Sequence, residues 1–155
     1  MNDVIRHGRA AWDRLKKGSG LWADWVFVGH ALLDGRKIAL HNAGIQRAHG
    51  SGYTDAFSSW MIDNKLNVPP SARAKLFTLM ENLAAVEAWR ATLTDAQRQQ
   101  FNHPSAVLRN YRKTSDHLRS QSEMSAQIAA PQRLTNQKIE SQRNKSSRFI
   151  VGARC

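Results

Sequence analysis

Apolar residues recur at steps of three and four through residues 2–113 and almost nowhere after them. That period is the signature of helices with one buried face. The spacing predicts a first helix over 2–17, capped by Asn2 or Asp3, with Val4, Ile5, Ala11, Trp12 and Leu15 inward. Gly18-Ser19-Gly20 breaks it. A long helix over 21–43 follows, on which Leu21, Trp22, Trp25, Val26, Gly29, Leu32, Leu33, Arg36 and Leu40 share a stripe. Gly44 suits its left-handed C-terminal turn. Residues 45–52 read as a polar loop. A helix over 53–64 groups Tyr53, Ala56, Phe57, Trp60 and Met61. After the break Asn67-Val68-Pro69-Pro70, Ser71 is the expected cap of a helix over 71–82 that points Leu76, Phe77, Leu79, Met80 and Leu83 inward. Val86, Trp89 and Leu93 mark another helix. Thr94-Asp95 opens one over 95–101, and Pro104 starts one carrying Val107, Leu108 and Tyr111.

From residue 114 the pattern stops. Ser, Gln, Asn and Arg dominate, and no aromatic residue occurs before Phe149. Such a segment buries too little apolar area to offset an ordering cost of roughly 1–2 kcal/mol per residue. It reads either as disordered or as a helix that forms on a partner. Arg148 to Cys155 form a short apolar patch flanked by arginine. No internal repeat is visible. The expected architecture is all-α: a compact bundle of five or six helices over 1–113 with a basic, disordered tail over 114–155.

Charge changes the picture. The chain has 23 basic and 12 acidic residues, a net charge of +11. Residues 1–112 carry 15 and 9 of these, and 113–155 carry 8 and 3, so the tail is more basic per residue. Such an excess either keeps a surface solvated or attracts a polyanion. The single cysteine, Cys155, excludes an internal disulfide and a cysteine-based zinc site, and suits a reducing cytoplasm. No signal-peptide core and no apolar run of about 18 residues is present, so neither export nor membrane insertion is expected.

The segment 54–83 resembles a helix-turn-helix. Ala56 is the small residue within the first helix, Asn67 the left-handed turn residue and Val68 the apolar residue after it. The second helix would offer Ser71, Arg73 and Lys75 to the major groove of DNA. Two features depart from the motif: Pro69-Pro70 stiffens the turn, and Arg73 stands where an aliphatic residue is usual. The competing reading is an ordinary helical corner. A second basic group, Arg109, Arg112 and Lys113, falls on one side of its helix and would clamp phosphates. Arg143, Lys145 and Arg148 would extend this basic strip along the tail.

Catalytic and metal chemistry find little support. The six histidines form no close ligand pair; His30 and His41 lie about 16 Å apart along a helix. His103, before a proline, reads as a helix cap. Ser58-Ser59 has no neighbouring base. Gly18-Ser19-Gly20 lacks the Lys-Ser/Thr of a phosphate loop. The sequence therefore reads as a non-enzyme without cofactor or metal.

Residues Trp22 to Lys113 resemble small helical proteins of alphaproteobacteria and their prophages. The resemblance is carried by Gly29-His30-Ala31-Leu32 with Gly35-Arg36, Tyr53 to Trp60, Ser71-Ala72-Arg73, Trp89 to Leu93, and Asn102-His103-Pro104 through Val107-Leu108-Arg109. It implies a bacterial or mobile-element setting and assigns no chemistry. The expectation drawn from the sequence is a cytoplasmic, nucleic-acid-binding regulator with DNA as its partner. The alternatives are a protein-interaction module facing an acidic partner and an RNA-binding subunit of a ribonucleoprotein. Trp12 and Phe101 either complete the core or form a homodimer face.

Overall fold

A computed structural model describes the backbone of residues 3–148 and the side chains as far as residue 126. Seven α-helices and no strand occur among the described residues: α1 (Asp3–Lys16), α2 (Trp22–Asn42), α3 (Ser51–Asp63), α4 (Pro70–Glu81), α5 (Leu83–Ala91), α6 (Asp95–Gln100) and α7 (Pro104–Arg148). The fold is all-α as the periodicity predicts, with one more helix than the five or six expected. The surplus is α6. It is short but owns a start signal: Thr94 Oγ1 accepts the N–H of Gln97, and the Thr94 N–H donates to Gln97 Oε1. That reciprocal box satisfies two donors that a helix start otherwise leaves open.

The chain divides into two units, residues 1–111 and 112–155. In the first, α2 is the central element. Its buried residues run along its whole length, from Trp22 and Trp25 through Val28, Ala31 and Leu32 to Ala39. α1 lies along it, and α3 and α4 both pack on it. The α1–α2 approach is close because Gly8 has no side chain; a Cβ there would stand 2.3 Å from the Ala31 Cβ. Gly35 likewise admits the ring of Trp60 from α3, only 2.2 Å from where its own Cβ would be. Trp12 and Trp25 meet edge to face, and both are buried. Phe101 stacks on Trp89, both partly buried against the core cluster, whereas Trp12 is buried within it. Val4, expected inside, is exposed.

In the second unit the backbone of α7 continues, so the segment read as a tail is helical through Arg148. Its side chains between 112 and 126 are nearly all exposed, including Leu118 and Met124. Through residue 126 the composition argument thus holds for burial. On that exposed stretch Ser120 and Ser125 turn their hydroxyls back onto the carbonyls of Asp116 and Gln121. The C-terminal patch at 149–155 lies outside the described residues.

Candidate nucleic-acid interface

The corner between α3 and α4 differs from the expected helix-turn-helix in its turn. The left-handed residue is Lys65, with φ of 55°, and not Asn67. The reason is the way α3 ends. The N–H of Lys65 donates to the Ile62 carbonyl and that of Leu66 to the Met61 carbonyl, the paired bonds of a Schellman ending. Leu66 is then fully buried, and it anchors the turn. Val68 is buried as expected, and Ala56 is partly so. α4 starts one residue early, with Pro70 in its first turn and Pro69 at the cap, so Ser71 is a helical residue and caps nothing. Both helices pack more extensively on α2 than on each other.

The three residues expected in a groove of DNA are separated. Ser71 is exposed. Arg73 is half-buried: its guanidinium carbon sits 5.4 Å from the centroid of the Phe57 ring, and Nη1 donates to Met61 Sδ at 3.0 Å. Lys75 donates to Ser105 Oγ at 2.9 Å and so ties α4 to the start of α7. Arg73 and Lys75 are therefore turned onto the protein. On α2, Arg36 repeats the arrangement of Arg73, with its guanidinium carbon 5.6 Å from the centre of Phe77. Arg36, Arg73, Tyr53, Phe57, Phe77 and Pro70 line an open groove of about 250 Å³. Burial pushes the Tyr53 hydroxyl above its ordinary pKa, with Arg36 and Arg73 pulling the other way, so it is a neutral donor at physiological pH.

A second open cleft, of about 360 Å³, lies beside Trp22, Glu87, Arg90 and Arg98. Arg90, one of the residues lining it, is 7% exposed. Arg90 Nη1 donates to the Phe101 carbonyl at 2.6 Å, and its guanidinium carbon lies 5.0 Å from the centre of the Trp22 ring. The indole N–H of Trp22 donates to Glu87 at 2.6 Å. These polar groups are consumed by one another, which makes the cleft a structural junction. The Asn102-His103-Pro104 run has the same character. Asn102 donates to the Gly20 carbonyl at 3.1 Å, His103 Nδ1 accepts the Ser105 N–H at 3.2 Å, and Pro104 is buried at the first position of α7. Burial, with Lys75 adding to it, lowers the His103 pKa and keeps the cap neutral. His103 thus caps its helix as its position before a proline suggested.

The sequence reading passed over Arg36 and Arg90 as chemical groups. Both stand at positions of an apolar stripe, Arg36 among Leu32, Leu33 and Leu40, and Arg90 between Val86 and Leu93. An arginine at such a position, in a chain rich in aromatic rings, is the available signal for a cation laid on a ring face.

The surface charge is unevenly compensated. Every acidic residue of α1 and α2 is in an ion pair: Asp3 with Arg6, Asp13 with Lys16, Asp24 with Arg14 and Asp34 with Lys37. Lys17, Arg47, Lys65 and Arg109 are exposed without an ion pair among the described residues; so, in the second unit, are Arg112 and Lys113. Arg143, Lys145 and Arg148 lie where side chains are outside the described residues. No group of three metal-ligating side chains occurs among the described residues, and no described helix is long and apolar enough to cross a membrane. Comparison with family models, curated proteins and solved structures finds no match.

Proposed function

We propose that this protein binds nucleic acid, DNA in the first instance, through the phosphate backbone, as a regulatory component of a bacterial or mobile genetic element. The observation that carries this reading is the charge balance. The net charge is +11, and the carboxylates of α1 and α2 are already paired, while Lys17, Arg47, Lys65 and Arg109 are exposed without an ion pair among the described residues. Lysines and arginines of this kind release condensed counterions when they meet phosphates, which gives affinity without reading sequence. The mode we favour is backbone contact by Arg109, Arg112 and Lys113, with Arg143, Lys145 and Arg148 adding to it. Recognition by α4 in the major groove is disfavoured because Arg73 and Lys75 are held against the protein.

The test is binding of the full chain to a random duplex, to a matched RNA hairpin and to heparin. The reading expects duplex affinity above that for heparin, and a substantial loss when Arg109, Arg112 and Lys113 are replaced together by glutamine. Duplex and RNA binding no tighter than heparin binding would overturn it in favour of an acidic protein partner.

A further inference from the structure

The groove between α2, α3 and α4 holds two guanidiniums that form no ion pair among the described residues. Arg36 and Arg73 each lay a face on a ring, Phe77 and Phe57. A guanidinium has five N–H donors, all around its edge. Among the described contacts of these two groups, the only hydrogen bond is the weak one from Arg73 to the Met61 thioether. No aspartate or glutamate lines the groove. Two partly desolvated cations with donor edges to spare, in one concavity, are a complement for an oxyanion. The rest of the wall is apolar or aromatic, with Tyr53, Phe57 and Phe77 beside Ala48, Pro70 and Ala74. Tyr53 stacks on Phe57 at 5.5 Å and 12°, and Phe77 lies 6.2 Å from Phe57. A flat, apolar wall beside paired cations suits a planar ring joined to a phosphate. A duplex cannot offer that combination, because the faces of its bases are stacked inside and only their edges reach the grooves.

We infer that this groove takes one unpaired nucleotide of a single-stranded nucleic acid, with its phosphate on Arg36 and Arg73 and its base against Tyr53. The inference rests on the nucleic-acid reading and deepens it. Exposed cations elsewhere serve any phosphate backbone, and the groove adds a preference for single strands.

The experiment uses the full chain with short labelled oligothymidylate, oligouridylate and a duplex of equal length. The protein is expected to hold single strands more tightly than duplex at equal salt. Replacing Arg36 and Arg73 together by glutamine is expected to weaken single-strand binding about tenfold while leaving duplex binding nearly unchanged. The relative strengths of the thymidylate and uridylate arms separate DNA from RNA as the source of the strand. Ultraviolet cross-linking of the unaltered protein to an iodouridine-bearing strand gives a second readout that does not depend on a variant folding. The cross-link is expected on the peptide containing Tyr53. Cross-links that avoid residues 47–77, or a double variant that binds single strands as well as the parent does, would overturn the groove while leaving nucleic-acid binding intact. Absence of binding to every strand form would overturn both.

Discussion

Arg90 shows what one residue contributes in this protein. It spans the end of α6 and the ring of Trp22, so its removal orphans the Phe101 carbonyl and strips a cation from an aromatic face. Replacing Arg90 by leucine is expected to cost about 2–3 kcal/mol, read as a drop in thermal midpoint of roughly 5–10 °C. Lysine should restore little, since a point charge cannot both stack and reach the carbonyl. An unchanged midpoint for either variant would contradict this role. Lys65 gives the opposite sign. It sits in the left-handed region, where a Cβ is strained. Replacing Lys65 by glycine should stabilise by about 0.5–1 kcal/mol, net of glycine's greater freedom when unfolded, and raise the midpoint by about 2–4 °C. Neither residue declares itself in the sequence. Asn67 is the better left-handed residue by type, but the buried Leu66 sets where the turn falls. The burial of Arg90 depends on Trp22, a residue that only tertiary folding brings near.

At the scale of elements, starts and stops were largely legible. Thr94 before Asp95, Pro104 after His103, and Gly44 after Ala43 are local signals, and α6, α7 and the end of α2 follow them closely. Ser71 was misleading because the two prolines before it supply a pre-set first turn. The start of α2 uses a less obvious device. Leu21 offers no acceptor, and Asp24 takes its N–H at 2.9 Å while also accepting from Arg14. Burial pushes the Asp24 carboxyl up, but the hydrogen bonds from Arg14 and Leu21 outweigh it and hold the pKa below the usual aspartate value. A depressed folded pKa means stabilisation that is complete above about pH 4 and drains as pH falls through the folded value. The stability gap between the parent and an Asp24→Asn variant should therefore narrow on acidification below about pH 4 in urea titrations. A gap that stays constant would contradict the ion pair's role. Packing between elements offers a further check. Gly35→Ala sets a methyl against the Trp60 ring and should cost about 1–3 kcal/mol. A neutral result would mean that α3 is free to shift on α2.

For the whole molecule, the helical class and the core were readable because the 3.6-residue period runs through most of residues 1–113. The candidate site was readable only in part. Arg73 was found as a basic residue on α4, but its orientation was not, because the sequence does not say that Phe57 and Met61 stand beneath it. Arg36 was counted into an apolar stripe, and its relation to Arg73 emerges only when α2, α3 and α4 are assembled. Charge needed no structure, and it remains the property that most constrains what the protein meets. The most direct test of that claim is the affinity of the full chain for nucleic acid across a salt series. Release of counterions from about six phosphates, one for each cation of the proposed mode, predicts a slope of log affinity against log salt of about −5, with binding tighter than about 10⁻⁶ M at low salt. A flat slope, or dissociation constants of about 10⁻⁴ M or weaker at every salt concentration, would contradict it and leave the positive charge to another partner.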